Sequence, residues 1–149
     1  MLARSHVNGT RTWSAPNGEL RLWKPASHVL VLRFSGPLFD TEFTQVAVTA
    51  INELAASTSQ KLDIFHDWQE MKLYTTEART ELTNLGIQLA PRLSSLSVLV
   101  GTNVVEMGVT IAGIKLGGLR IFTSREEFDR AVRQAVESRG GTYTPLPSE

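Results

Sequence analysis

The sequence predicts a single α/β domain with a mixed, mostly parallel sheet, built from an N-terminal β-hairpin and four strand–helix units. Three observations predict this class. An Asn-Gly pair lies between two short segments near the N-terminus, apolar runs recur along the chain, and an amphipathic segment follows each run. Strands that alternate with helices are typical of parallel neighbours joined by right-handed crossovers, whereas an Asn-Gly turn is typical of an antiparallel hairpin.

The hairpin is predicted from Thr10–Ser14 and Glu19–Lys24, two strand candidates on either side of a turn. Asn17 and Gly18 favour this turn because both residue types tolerate the positive φ angles that a tight hairpin needs. The preceding residues, 1–9, have no apolar pattern and are predicted to be a loose leader.

Each of the four strand–helix units begins with an apolar run that predicts a buried strand. The runs are Val29–Leu32, Leu62–Phe65, Leu96–Val100 and Leu119–Phe122. A residue that can cap a helix follows each run, and glycines stand where three helices are expected to end. The capping candidates are Asp40 or Thr41, Thr75 or Thr76, Asn103 and Ser124, and the stop candidates are Gly86, Gly117-Gly118 and Gly140-Gly141. The domain is therefore expected to span residues 10–138, with a flexible tail over 139–149.

The helix that is expected to begin at Asn103 is rich in apolar residues. Its inward stripe is predicted to consist of Val104, Met107, Ile111 and Ile114. Gly108 and Gly113 interrupt this helix, each at a cost of about 1 kcal/mol relative to alanine. The two glycines either let the helix lie close to the sheet or give mobility to a lid over an apolar cavity.

The composition excludes several kinds of chemistry. Fifteen basic and fifteen acidic side chains cancel, so no field of one sign favours nucleic acid. The chain has no cysteine, which removes thiol nucleophiles and zinc–thiolate sites, and its histidines lack zinc-ligand spacing. No apolar run reaches the roughly 18 residues of a spanning helix, and none resembles a signal peptide. We therefore expect a soluble, cytoplasmic protein that inserts into no membrane and holds no metal or other cofactor.

The richest segment of the sequence follows the predicted strand Leu62–Phe65. Residues 66–74 are predicted to form a loop at the carboxyl end of that strand, where open α/β sheets usually place ligands and functional residues. Five of its side chains are predicted to contact a partner or a ligand: His66, Asp67, Trp68, Met71 and Tyr74. The alternative is structural, with Trp68 and Met71 folded over the core as a lid and Asp67 capping the loop.

A leading hairpin followed by four strand–helix units resembles the STAS domain, the fold of the bacterial anti-sigma-factor antagonists, and especially its divergent SpoIIAA-like relatives. In that family a Leu-Asp-Leu strand leads to a helix whose N-terminus carries Asp-Ser, and a partner kinase phosphorylates the serine. Leu62-Asp63-Ile64 is similar to that strand, and Tyr74-Thr75-Thr76 stands at the helix start with no acid before Thr75. The resemblance covers residues 10–138. It implies a bacterial regulatory module with a kinase-like or anti-sigma-type protein partner.

Thr75 and Thr76 stand where the resemblance implies a phosphoacceptor. A phosphate there would meet free backbone N–H groups and the favourable end of the helix dipole. The alternative is that one of the two hydroxyls simply caps the helix, which contributes about 1 kcal/mol to stability.

Three functions remain open from the sequence. The first is a non-enzymatic interaction module that presents residues 67–76 and the following helix to a partner, and the second is a binding module for a small, lipid-like apolar ligand. The third is an enzyme that uses His66 and Asp67, although neighbours on a strand point to opposite faces and cannot converge on one substrate. A homodimer is a further interpretation, because Trp13 and Trp23 lie on the predicted edge hairpin and edge strands favour pairing with a second chain.

Overall fold

A computed structural model of the chain describes residues 2–7 and 9–143. The strands in these residues are β1 Ala3–Val7, β2 Thr10–Ala15, β3 Gly18–Ala26, β4 Val29–Phe39, β5 Leu62–Tyr74, β6 Leu93–Val100 and β7 Leu119–Phe122. The helices are α1 Thr41–Ser57, α2 Thr76–Leu89, α3 Asn103–Leu116 and α4 Arg125–Glu137. None of these helices is both long and apolar enough to cross a membrane.

The seven strands form one sheet whose spatial order follows the chain, from β1 at one edge to β7 at the other. Strands β1 to β4 pair antiparallel, and β4 to β7 pair parallel. The predicted α/β class is therefore confirmed, with a mixed sheet, a leading hairpin and four strand–helix units. Strand β5 lies in the interior of the sheet, between β4 and β6.

Two hydrophobic cores cover the two faces of the sheet. The larger core joins one face to α1, α2 and α3, and its members include Phe34, Phe43, Leu54, Ile64 and Val105. The smaller core joins the other face to α4, and its members include Val29, Phe65, Leu99, Phe128 and Val136. This arrangement follows from the connectivity, because successive right-handed crossovers that advance in one direction place their helices on the same face.

Strands β4 and β5 are much longer than the sequence predicts. They pair with each other from Val29 and Asp63 to Phe39 and Tyr74, with one irregularity in register near Arg33. The predicted loop over residues 66–74 is therefore wrong, because this segment continues β5. Its backbone groups pair with β4 on both sides of the irregularity in register, and such pairing does not require an apolar sequence.

The expected loose leader over residues 1–9 is corrected by the structure for residues 3–7. Ala3–Val7 forms the edge strand β1, whose five side chains are exposed and whose backbone pairs with Thr10–Ser14 of β2. Met1 and Asn8 lie outside the described residues. A strand that buries none of its side chains has no apolar alternation, so its sequence resembles that of a loop.

The segment expected to be a flexible tail, 139–149, contacts the domain where it is described. The guanidinium of Arg139 donates a 2.8 Å hydrogen bond to the carbonyl of Lys61. The ring of Tyr143 meets that of Trp23 edge-on, with 6.2 Å between centroids. Residues 144–149 lie outside the described part of the chain.

The ends of the helices agree with the sequence in some places and differ in others. Gly117, with φ of 74°, ends α3, and Ser124 caps α4 by accepting a hydrogen bond from the amide of Glu127, both as predicted. The cap of α3 is Thr102 instead of Asn103, and Gly86 lies inside α2 instead of ending it.

The inward side of α3 is also corrected. Val105 and Val109 are buried in the larger core, whereas Val104 and Met107 are exposed. The side chains of Ile111 and Ile114 lie outside the part of the chain that the structure describes. Apolar residues surround α3, so its sequence contains no clear polar face from which the orientation could be read.

Gly108 permits a close contact between α3 and the end of β5. A Cβ atom at this position would overlap the hydroxyl group of Tyr74, whereas a Cβ atom at Gly113 would lie 3.5 Å from the side chain of Leu119, an ordinary contact. The close-approach interpretation therefore holds for Gly108.

We expect the two glycines of α3 to respond oppositely to alanine. Gly113→Ala should raise the free energy of unfolding by up to about 1 kcal/mol, the difference in helix propensity. Gly108→Ala should lower it by about 1–3 kcal/mol because the new methyl group overlaps Tyr74. Urea unfolding of both variants measures the difference. Equal effects of the two substitutions would contradict the contact between Gly108 and Tyr74.

Candidate functional site

Strand β5 directs alternate side chains to the two faces of the sheet. Ile64 and Trp68 belong to the core beneath α1, α2 and α3, whereas Phe65 belongs to the core beneath α4. His66 shares the first face and Asp67 the second, where it bonds to α4. The two residues of the conceivable catalytic pair are therefore separated by the sheet.

Asp67 is the centre of an ion-pair cluster that joins the sheet to the start of α4. Its carboxylate is only 1% exposed and accepts hydrogen bonds from Nε of Arg33 at 2.8 Å and from Nη1 and Nη2 of Arg125 at 2.6 and 3.0 Å. Arg125 also donates to the amide oxygen of Gln69 at 2.7 Å. A buried carboxylate is stable only when its oxygens are paired in this way. The predicted contact with a partner or ligand is thus replaced by a structural role for Asp67.

A second buried acid of β5, Asp63, lies near the other end of α4. Asp63 accepts a 2.6 Å hydrogen bond from the hydroxyl of Ser95 and lies 3.6 Å from Nε2 of His28. Nε2 of His28 in turn donates a 3.0 Å hydrogen bond to the carbonyl of Ala135, near the end of α4. Asp67 therefore bonds directly to the start of α4, whereas Asp63 lies beside the histidine that bonds near its end.

On the opposite face of β5, a cavity of about 50 Å³ lies between α2, α3 and the sheet. It is open to solvent on one side, and its lining is mostly hydrocarbon. The sheet contributes His66, Trp68 and Val98, while Leu82 and Val109 line it from the two helices. Tyr74 and Arg79 also line this cavity, and each is partly exposed.

His66 is the unusual residue of this cavity. Its side chain is only 6% exposed, yet neither ring nitrogen forms a hydrogen bond within the described residues. The imidazole instead lies beside the indole of Trp68, with 5.0 Å between ring centroids. Burial lowers the pKa of His66 from 6.5 to about 4, so its ring is neutral at pH 7. A neutral imidazole offers one hydrogen-bond donor and one acceptor.

The remaining residues of the predicted site have different positions. Met71 is fully buried in the larger core and does not line the cavity, so its predicted contact is also replaced by a core role. The hydroxyl of Thr75 caps α2 by accepting a 3.1 Å hydrogen bond from the amide of Ala78. Thr76, the first residue of α2, is exposed.

Two features of this region are missed by reasoning from the sequence. The first is the contribution of α2 and α3 to a cavity beneath them, which depends on how the helices pack. The second is the exposure of three apolar residues near the end of β5 and the start of α3: Leu73, Val104 and Met107 are 52%, 53% and 66% exposed. The signal for the second was present, since Val104 and Met107 can be read from the sequence but not oriented.

Among the described residues, no group of three or more histidine, aspartate or glutamate side chains is placed to hold a metal ion. Trp23, a residue of the predicted dimer surface, is buried against α4 and Tyr143. Trp13 is covered on one edge by β1 and lies beneath the guanidinium groups of Arg4 and Arg11.

The burial of His66 predicts a specific pH dependence of stability. The unfolded chain takes up a proton at this residue near pH 6.5, whereas the folded domain does so only near pH 4. The contribution of His66 is therefore fully present above about pH 6.5 and is lost as the pH falls towards 4, by about 3 kcal/mol in total. His66→Leu should remove this loss, whereas His6→Leu on the exposed strand β1 should retain it.

Chemical unfolding between pH 7.5 and 4 measures this difference. Because carboxylates also titrate in this range, the quantity to compare is the difference between each variant and the wild type at each pH. Parallel pH profiles for the wild type and His66→Leu would show that His66 has the same pKa in the folded and unfolded states and is not buried as described.

No protein-family model matches the chain, and a search of curated protein sequences finds no significant match. Solved structures are similar to it in fold. An uncharacterised DUF3478-family protein with a SpoIIAA-like fold from Shewanella loihica is 10% identical over 89% of this chain and 92% of its own, with a TM-score of 0.53. An anti-sigma factor antagonist from Mycobacterium paratuberculosis is 15% identical over 80% of this chain and 98% of its own, with a TM-score of 0.57. The chain therefore has a SpoIIAA-like fold, the fold that its resemblance to the STAS domain implies.

Proposed function

We propose that the domain is a non-enzymatic regulatory module that binds a protein partner through the carboxyl edge of its sheet. The binding region, here called the edge surface, consists of Leu73, Thr76, Val104 and Met107. The observation that carries this proposal is the exposure of three large apolar side chains around the first turns of α2 and α3. Exposed apolar side chains that cluster in one region are typical of interaction sites.

The position of the edge surface supports this proposal. Six large apolar side chains are exposed among those that the structure describes, and three of them belong to this edge. Strand β5 and the strand that precedes α3 run parallel, so the end of β5 and the starts of α2 and α3 lie towards the same edge. Open α/β sheets usually bind their ligands at this edge.

The positions of the ionisable side chains in this region favour binding over catalysis. His66 and Asp67 lie on opposite faces of the sheet, and the carboxylate of Asp67 is fully engaged by two arginines. The residue types of the edge surface, mainly aliphatic side chains and methionine, suit contact with another protein. The similar anti-sigma factor antagonist is by its name a protein that acts on a regulatory protein. A kinase-like or anti-sigma-type partner is consistent with that likeness.

Thr76 offers a means of regulation within the same surface. The hydroxyl of Thr75 is engaged in capping α2, whereas Thr76 is exposed on the first turn of this helix. Phosphorylation would add roughly −1.5 to −2 charges at pH 7, at a helix end that favours negative charge. The charge would stand within an otherwise apolar contact region and would weaken binding of an apolar partner surface.

We expect substitutions in the edge surface to reduce partner binding without unfolding the domain. In quantitative pull-downs from the native host, Met107→Glu and Thr76→Glu should each retain a given partner at least tenfold less than the wild type, because a buried charge opposes docking. The matched control is Ile87→Glu, which replaces an exposed apolar residue near the other end of α2. Circular dichroism checks the folding of each variant.

Equal loss of partner retention in all three variants would contradict the proposed role of the edge surface. Retention that none of the substitutions changes would contradict it as well. Mass spectrometry of the protein from its native host tests the regulatory step, with phosphate on Thr76 as the expected result. Phosphate on Thr75 alone would contradict the assignment of these two hydroxyl groups.

A further inference from the structure

We propose that the cavity between α2, α3 and the sheet binds a small apolar molecule that carries one uncharged hydroxyl or carbonyl group. The polar group would bond to the imidazole of His66, and the apolar part would lie between the two helices. This inference concerns the face of β5 that lies beneath α2 and α3, and it does not depend on a protein partner at the edge surface.

The unpartnered imidazole is the first reason. Polar side chains that are this deeply buried are nearly always hydrogen-bonded. His66 forms no hydrogen bond within the described residues and lines the cavity. By contrast, His28, the other buried histidine of the sheet, donates to a backbone carbonyl. The difference between the two residues indicates that the ring nitrogens of His66 remain available to hydrogen-bond a bound molecule.

The lining of the cavity is the second reason. An ordered water needs two to four polar partners, and empty apolar cavities remain dry. Apart from His66, the polar side-chain groups of the lining belong to Trp68, Tyr74, Arg79 and Thr83, and the hydroxyl of Thr83 already donates to the carbonyl of Arg79. Hydrocarbon from both helices surrounds the rest. Such a site suits an apolar molecule with a single polar group better than it suits water.

The electrostatics restrict the polar group to an uncharged one. Because the ring of His66 is neutral, it provides no charge to compensate a buried carboxylate or ammonium group. A hydroxyl group can donate to one ring nitrogen or accept from the other, and a carbonyl can accept. The indole of Trp68, 5.0 Å from the imidazole, limits the space beside the ring and favours an unbranched or flat molecule.

The size of the cavity restricts the ligand further. Its volume of about 50 Å³ is smaller than the roughly 150 Å³ apolar cavity that holds benzene. The cavity is open to solvent on one side, which lets a chain extend outwards, so a short linear alcohol or ketone is the class that fits. A larger ligand would have to separate α3 from α2.

The test uses the full chain and three probes of the same length: 1-hexanol, 1-fluorohexane and hexanoate. NMR titration follows the side-chain signals of His66 and Trp68. The wild type should bind 1-hexanol about tenfold more tightly than 1-fluorohexane, since one hydrogen bond to a buried group has roughly this effect. Hexanoate should not shift the His66 signals, because a carboxylate beside this neutral ring would be buried without compensation.

Two variants distinguish the hydrogen bond from general apolar binding. His66→Leu should reduce the preference for 1-hexanol over 1-fluorohexane to about onefold while both still bind. Ala112→Phe, on the α3 wall of the cavity, should block 1-hexanol and 1-fluorohexane and leave the unfolded fraction unchanged. His6→Leu is the matched control and should behave as the wild type.

Equal affinity of the wild type for 1-hexanol and 1-fluorohexane would overturn the role of His66. Binding that Ala112→Phe does not alter would place the probes elsewhere. No shift of the His66 and Trp68 signals at millimolar probe concentration would show that the cavity holds only water or nothing. None of these results depends on partner retention, so failure of the cavity and failure of the edge surface can be told apart.

Discussion

The buried carboxylate of Asp67 is the interaction on which the arrangement of the rest depends. An ionised acid at the centre of a sheet is tolerated only with full compensation, and Arg33 and Arg125 provide it from the neighbouring strand and from α4. Asp67 holds the start of α4 against one face of the sheet, whereas α2 and α3 lie on the other face because of their right-handed crossovers. Near the other end of the helix, Asp63 accepts a hydrogen bond from Ser95 and lies 3.6 Å from Nε2 of His28.

The two faces of β5 therefore treat polar residues differently. On the side of α4, Asp67 accepts hydrogen bonds from two arginines and Asp63 accepts one from Ser95, and this face serves stability. On the other side His66 is buried without a partner in a cavity with an apolar lining. Side chains that stabilise a fold are usually satisfied, whereas functional sites often keep an unsatisfied group at a cost in stability. The face of β5 beneath α2 and α3 and the edge surface are thus the two regions where we expect binding.

The order of strands and helices could be predicted because it depends on local patterns: apolar runs, capping residues and the glycines that end α3. The continuation of β5 through Tyr74 could not, because it depends on pairing with β4, and a mixed sequence such as His66–Tyr74 has no alternation of its own. The same limit applies to β1, which buries no side chain. The orientation of α3 was not predictable since apolar residues surround it, and the partners of Asp67 lie 34 and 58 positions away.

The most direct measurement of this account is the free energy of unfolding of Asp67→Ala compared with Asp129→Ala. Both substitutions remove an acid that contacts Arg125, but Asp129 is half exposed and lies one turn along α4. Loss of the buried acid should cost about 3–5 kcal/mol, because two arginines lose their compensating charge. Loss of the exposed acid should cost less than about 1 kcal/mol. Similar small losses for both variants would contradict the structural role of Asp67, because they would place this residue in an exposed loop instead of in strand β5.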